Sequence, residues 1–253
     1  MVISASRFFK VGGDASFDSR PFLLKVIGVE SKLFFDCSYE ESDSEKSSCV
    51  VILANGTFPA SDRVKSYFFL CDKLVCCDGA VESALANGRI PDFIVGDCDS
   101  IPPELAERFR ERIVRITEQD TNDLTKAFRF CVERRWNRLV ILGAAGKRED
   151  HTLGNISRLA DFAEDVDDVR MITDDGVFLA VKNSCAIKTY PRAQVSIFSF
   201  DPNQEITSSG LKYPLNRLRL PRWYVATLNE VISDRFSLEF EPSSPLLVYL
   251  TRR

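Results

Sequence analysis

The 253 residues, 45% hydrophobic and 28% charged, are enough for one large domain or two modest ones with a buried core. A net charge of −4 without a long basic run argues against a surface built for nucleic acid. No apolar run approaches about 18 residues, and Arg7, Lys10, Asp14, Asp18 and Arg20 stand where a signal-peptide core would lie, so a cytoplasmic protein with no membrane partner is expected.

Residues 1–48 form an N-terminal extension to which no chemistry is assigned. It ends in the acidic, serine-rich stretch Tyr39–Ser48, which reads as a solvated linker, although Phe8, Phe9, Phe34 and Phe35 are available for packing. Of the 8 cysteines, Cys76 and Cys77 are adjacent and none forms a C-x-x-C pair. Reduced thiols acting as small apolar residues in strands are therefore expected, not a zinc or redox site.

From Cys49 onward, short apolar runs alternate with helical patterns. CVVILANG, KLVCCDGA, DFIVGDCDS, RIVRIT, RLVILGAAG and VRMIT read as strands, with helices near 80–88, 102–112, 121–135 and 152–163. This alternation predicts an α/β domain over 49–173, a Rossmann-like parallel sheet with helices on both faces. After about Thr173 the helical period stops. VFLAVK, CAIKTY, QVSIFSF, VATLNEVI, FSLEFE and LLVYL then predict a small antiparallel β-sandwich over 174–253.

The polar clusters follow predicted strands: Asn55-Gly56, Asp78-Gly79, Gly96 to Ser100, and Gly143 to Gly146. In an open parallel sheet these positions share the carboxyl edge, where ligands bind. Asp97 and Asp99, two apart, face one way if the strand conformation persists and then offer two carboxylates to a hard cation, with Asp78 arriving from a neighbouring strand; the alternative is an Asx turn capping the helix at Pro102. Asp120 or Thr121 can cap the helix that carries Lys126 one turn in, or its N-terminus can attract an anion. Gly143 to His151 permits close backbone approach, and Arg148 suits bidentate phosphate contact, although the P-loop spacing is absent. His151, the only histidine, is either a proton shuttle or a structural residue at a helix start.

Together these segments resemble the thiamine pyrophosphokinase family: Asp78-Gly79-Ala80, Gly96-Asp97-Cys98-Asp99-Ser100, Gln119 to Lys126, and Gly143 to His151 match its motifs in order and spacing. Gly210 to Leu215, Thr227-Leu228-Asn229 and Ser244 to Leu247 extend the likeness, which spans roughly 49–253. The resemblance implies an enzyme that transfers a pyrophosphoryl group from Mg-ATP to thiamine. It implies Mg²⁺ ligands Asp97, Asp99 and Asp123, with Asp78 supporting the metal–phosphate cluster. Gln119, Lys126, Arg148 and Asp150 would position ATP and the accepting hydroxyl, in a nucleotide site that also includes Asn55, Asn122, Gly143 and Gly146. Tyr213 and Asn229 would belong to the thiamine pocket, Tyr213 being otherwise an ordinary sandwich aromatic. The resemblance further implies a homodimer with active sites between subunits, the second domain serving thiamine binding and dimerisation.

Cys98, Lys147 and Leu228 depart from the usual phenylalanine, frequent glycine and usual serine of the family pattern, and Leu228 removes a hydroxyl near the expected thiamine site. Asp150 and Asp78 are the candidate proton acceptors. The rival readings are a pyrophosphokinase with another small alcohol as acceptor, such as a hydroxymethyl pterin, and a non-catalytic nucleotide or thiamine sensor.

Overall fold

The structure, a computed structural model, describes the backbone of residues 33–36 and residues 41–252. Phe8 and Phe9 lie outside the described residues, as do Tyr39 and Glu40 of the expected linker.

Six strands joined by helices build a parallel sheet: β2 (Val50–Leu53), β3 (Lys73–Cys77), β4 (Phe93–Gly96), β5 (Ile113–Arg115), β6 (Arg138–Leu142) and β7 (Asp168–Ile172), in the spatial order β7-β6-β2-β3-β4-β5. Residues of β2, β3 and β6 are almost all buried, which explains their unbroken apolar runs. The connecting helices are α2 (Asp62–Leu70), α3 (Val81–Ala86), α4 (Pro103–Arg108), α5 (Asp123–Glu133) and α6 (Glu149–Asp165). Strand order moves outward from β2 toward β5, then restarts at β6 on the other side of β2. Right-handed crossovers consequently put α2 to α4 on one face and α6 on the other. On that second face α5 and α6 meet through Phe128 and Phe162, stacked at 4.0 Å.

The sheet does not stop at the last parallel strand. β8 (Gly176–Val181) turns back antiparallel on β7, followed by β15 (Leu246–Thr251), β10 (Gln194–Ser199) and β13 (Ala226–Glu230), giving a continuous sheet of ten strands. A second sheet of five strands joins β9 (Cys185–Lys188), β14 (Arg235–Phe240), β11 (Glu205–Ser209) and β12 (Leu218–Arg219) to β1 (Leu33–Asp36), which pairs parallel to β9. The antiparallel part of the α/β expectation is thus present, with one of its sheets shared with the parallel part.

Residues 41–48, expected as solvated linker, are held against the sheet. Ser42 and Glu45 form a capping box at the start of α1 (Asp43–Lys46). Glu41 pairs with Arg170 at 2.8 Å and Arg138 at 2.9 Å, on β7 and β6. Glu41 ties this stretch to β6 and β7 through ion pairs, while Ser42, Asp43, Ser44, Ser47 and Ser48 remain exposed.

Candidate active site

The strand order restarts between β2 and β6, and a cleft of about 490 Å³ opens at their carboxyl ends. Ala54 to Gly56 follow β2, Cys77 ends β3 and Asp78 follows it, Asp97 follows β4, and Ala144, Ala145, Lys147 and Arg148 follow β6. The first turns of α5 and α6 complete the wall, so two helix N-termini face the space.

Asp78, Asp97 and Asp123 bring carboxylate oxygens within 4.8 Å of one another. Asp78 is 2% exposed, and its two oxygens accept the backbone N–H groups of Gly79 at 2.5 Å and Cys98 at 3.2 Å. Burial, and then the charge of Asp123, raise its affinity for a proton. Asp97 is held below the ordinary carboxylate range, first by the Asp99 backbone N–H and then by Gln119, whose amide donates to Oδ2 at 3.2 Å. The Lys126 ammonium lies 3.6 Å from Asp97 and 3.4 Å from Asp123. Its own dehydration opposes the charge, but Asp123 and Asp97 outweigh that and raise its pKa. Three converging oxygen donors with one cation between them suit a hard cation such as Mg²⁺.

Asp99 stands apart from this group. Cys98 has φ +67°, so the strand conformation that would align Asp97 with Asp99 ends between them. The Asp99 N–H closes an Asx turn on Asp97 at 3.2 Å, while its carboxylate pairs with Arg115 at 3.3 Å on the exposed rim.

Asn122 lines the cleft and caps α5, accepting from Thr125 N at 3.0 Å, and donates to Asn155 at 3.1 Å; Asn155 donates in turn to Ala144 O at 2.9 Å. The α5 start is thereby tied to the loop after β6. In that loop Gly143 and Gly146 take φ of +64° and +91°, which shapes the wall through backbone alone. Arg148 reaches the cleft and is gripped by Asp150 through contacts of 3.1 and 2.5 Å. That grip, led by the Arg148 hydrogen bond, lowers Asp150 to about 2 and makes it the weaker proton acceptor of the two candidates.

Asn55, Asp78, Asp97, Gln119, Asn122, Asp123, Lys126 and Arg148 thus share one cleft, with His151. Thr152 and Asn155 also line it and were missed by sequence reasoning. Their signal is the helical spacing from Arg148 and His151, which puts all four on the inner side of α6. Tyr213 and Asn229 lie in the antiparallel part and do not line this cleft. Asn229, 4% exposed, brackets Tyr213 by accepting from its N–H at 3.1 Å and donating to its carbonyl at 2.6 Å, while Tyr213 is 61% exposed.

Comparison with known proteins places the chain among related sequences and folds. The family model described as thiamin pyrophosphokinase, catalytic domain, matches residues 64–171, and the one described as thiamin pyrophosphokinase, substrate-binding domain, matches 176–249. Thiamin pyrophosphokinase 1 of Caenorhabditis elegans is 27% identical over 216 residues, covering 79% of this chain and 88% of the relative. Thiamine pyrophosphokinase of Bacillus subtilis is 26% identical over 182 residues, covering 69% and 85%. Among solved structures, thiamin pyrophosphokinase from Candida albicans superposes with a TM-score of 0.69 at 19% identity, covering 88% of this chain and 94% of the other. A thiamin pyrophosphokinase family protein from Enterococcus faecalis gives 0.67 at 20% identity, covering 81% and 99%. The two matched domains in their order, and the acidic cleft between the ends of β2 and β6, identify this chain as an enzyme of the thiamine pyrophosphokinase family.

Proposed function

We propose that the cleft binds ATP as its Mg²⁺ complex and that the thiamine hydroxyethyl oxygen attacks the β-phosphorus, breaking the bond to the α-phosphate oxygen and releasing AMP. The observation that carries this reading is the meeting of three carboxylates, a buried lysine and two helix N-termini at one sheet edge. Mg²⁺ would be held by Asp97 and Asp123, where the carboxylates meet, with Asp99 joining once its carboxylate leaves Arg115, and when bound it would offset negative charge on the phosphate oxygens. The Asp99 carboxylate is held only by its exposed Arg115 pair, an interaction worth about 0–1 kcal/mol that a cation readily displaces. Asp78, its oxygens already engaged by two N–H groups, supplies fixed negative charge behind the cluster.

The starts of α5 and α6 attract the polyphosphate, and Arg148 contributes a planar pair of donors to it. Lys126 and Gln119 fix the Asp97 carboxylate and meet the phosphate side of the cleft. Asn55 and Asn122, with Ala144 and Ala145 between the two loop glycines Gly143 and Gly146, would bound the nucleotide. In this reading the hydroxyl proton leaves late, so Asp78 or solvent suffices to take it.

Thiamine would be recognised in the antiparallel part, by Tyr213 and Asn229, across a homodimer. Support comes from an exposed apolar surface on adjoining segments: Tyr213, Tyr224, Leu228 and Ile232 are 61%, 75%, 75% and 64% exposed, and Lys212 N bonds to Glu230 O at 2.8 Å. Exposed apolar residues of this kind are what a subunit contact would cover. A cytoplasmic location fits the seven free cysteines among the described residues. No described helix is long and apolar enough to cross a membrane.

The test is to incubate the protein with Mg-ATP and either thiamine or a hydroxymethyl pterin and to quantify AMP and the diphosphorylated acceptor. Equimolar AMP and thiamine diphosphate support the reading. Product from the pterin alone would move the acceptor, and thiamine binding without AMP release would replace the enzyme with a sensor.

A further inference from the structure

The loop after β6 places a second cation beside Arg148, and the reaction described above leaves it without a task. Lys147 is exposed, lines the cleft, and donates from Nζ to Asn55 Oδ1 at 2.9 Å. Three lysine or arginine side chains line this cleft, and two of them are paired with carboxylates. Lys126 lies between Asp97 and Asp123 at 3.6 and 3.4 Å, and Arg148 is gripped by Asp150 at 2.5 Å. Among the described residues, Lys147 alone of the three has no carboxylate partner; its hydrogen-bond partner is a neutral amide.

The backbone that carries Lys147 is fixed. Gly56 N donates to Gly143 O at 2.6 Å and Thr57 N to Ala145 O at 2.8 Å, fastening the loop to the segment after β2. Thr57 presses on the place where a Cβ on Gly146 would stand, at less than 3.0 Å, so the loop sits directly on that segment. Asn55 in turn packs against Gly79, beside Asp78. The ammonium therefore stands between the loop and the strand end leading to the acidic group, on a long stem free to turn. Exchanging an amide oxygen for a phosphate oxygen replaces a neutral acceptor with a charged one, which makes the stronger bond.

We propose that Lys147 is a polyphosphate-binding residue whose ammonium exchanges the Asn55 oxygen for a phosphate oxygen of the nucleotide, raising affinity for nucleoside triphosphate over nucleoside monophosphate. The proposal rests on the nucleotide reading of the cleft. It assigns to the loop after β6 a side-chain contact in addition to that of Arg148.

The experiment is calorimetric titration of the full chain and of Lys147→Met and Lys147→Arg with two probes, the Mg²⁺ complex of α,β-methylene ATP and AMP. Lys147→Met is expected to weaken the triphosphate analogue about tenfold, with AMP within about twofold of its original affinity, while Lys147→Arg retains most of the analogue affinity. Unchanged analogue binding by Lys147→Met overturns the proposal. So does equal weakening of both probes, because that is what a loop merely tied down by the Asn55 bond would give. An unaltered chain that fails to bind the analogue refutes the nucleotide reading, and this proposal with it; binding without a Lys147→Met effect refutes only the proposal.

Discussion

Lys126→Met removes one ammonium and keeps most of its apolar stem, so its effect isolates charge. The group is 2% exposed and lies 3.6 Å from Asp97 and 3.4 Å from Asp123. At an effective dielectric constant of about 20, each contact contributes roughly 4 kcal/mol before dehydration of the ammonium is subtracted. That dehydration takes back several kcal/mol, and the two carboxylates, 22% and 39% exposed, are partly screened by water. What remains is the repulsion among Asp78, Asp97 and Asp123, whose oxygens lie within 4.8 Å of one another with the ammonium gone. A net loss of about 2 kcal/mol is expected, or roughly 4–8 °C in Tm for a chain of this size. Lys126 is raised above its ordinary 10.5, so its contribution is fully present below that value and disappears as pH rises through the raised one; pH 7 lies on the plateau. The assay is urea unfolding at pH 7 in EDTA and again in Mg²⁺. Mg²⁺ should restore more stability to the variant than to the parent, since it replaces the missing charge. A loss below about 0.5 kcal/mol in EDTA, or equal Mg²⁺ effects on both proteins, would refute the reasoning.

Asp99→Asn should raise the Mg²⁺ needed for half-maximal activity about tenfold while leaving the Tm within a degree or so, because the exposed Arg115 pair adds little to folding; an unchanged Mg²⁺ requirement would remove Asp99 from the ligand set. Gly56→Ala puts a Cβ within 3.0 Å of the Gly143 and Ala145 carbonyl oxygens and should cost about 1–3 kcal/mol, whereas Gly154→Ala, in α6 with nothing within 4 Å, should stabilise by about 0.4–1 kcal/mol; unfolding curves of the pair check both signs. Asp150, lowered to about 2 by Arg148, contributes stability above its ordinary 3.8 that is lost as pH falls from there toward about 2. Acid unfolding of Asp150→Asn should accordingly be shallower across that window, and an unchanged acid limb would deny the pairing.

The carboxyl-edge site was legible because each polar cluster directly follows an apolar run, and parallel strands put those ends together whatever the intervening sequence. Asp78 and Asp97 met for that reason. Asp99 could not be placed the same way, since the left-handed conformation at Cys98 is carried by a residue type that does not announce it. Helix α2 was missed because Tyr67, Phe68, Phe69 and Leu70 form an unbroken apolar run that hides helical period; its Ser61 N-cap was the available signal. Ser42 and Glu45 likewise spelled a capping box inside a stretch whose composition suggested solvent. The joining of β8 to β7 was not legible, since alternating strands specify which face is buried but not which neighbour they pair with.

The most direct test of the central claim is to follow ATP labelled at the β-phosphate in the presence of Mg²⁺ and thiamine, with the parent chain and with Asp97→Ala, checking by circular dichroism that the variant remains folded. The account predicts label in thiamine diphosphate matched mole for mole by AMP, and no product from Asp97→Ala. ADP in place of AMP, or undiminished turnover by a folded Asp97→Ala, would contradict it.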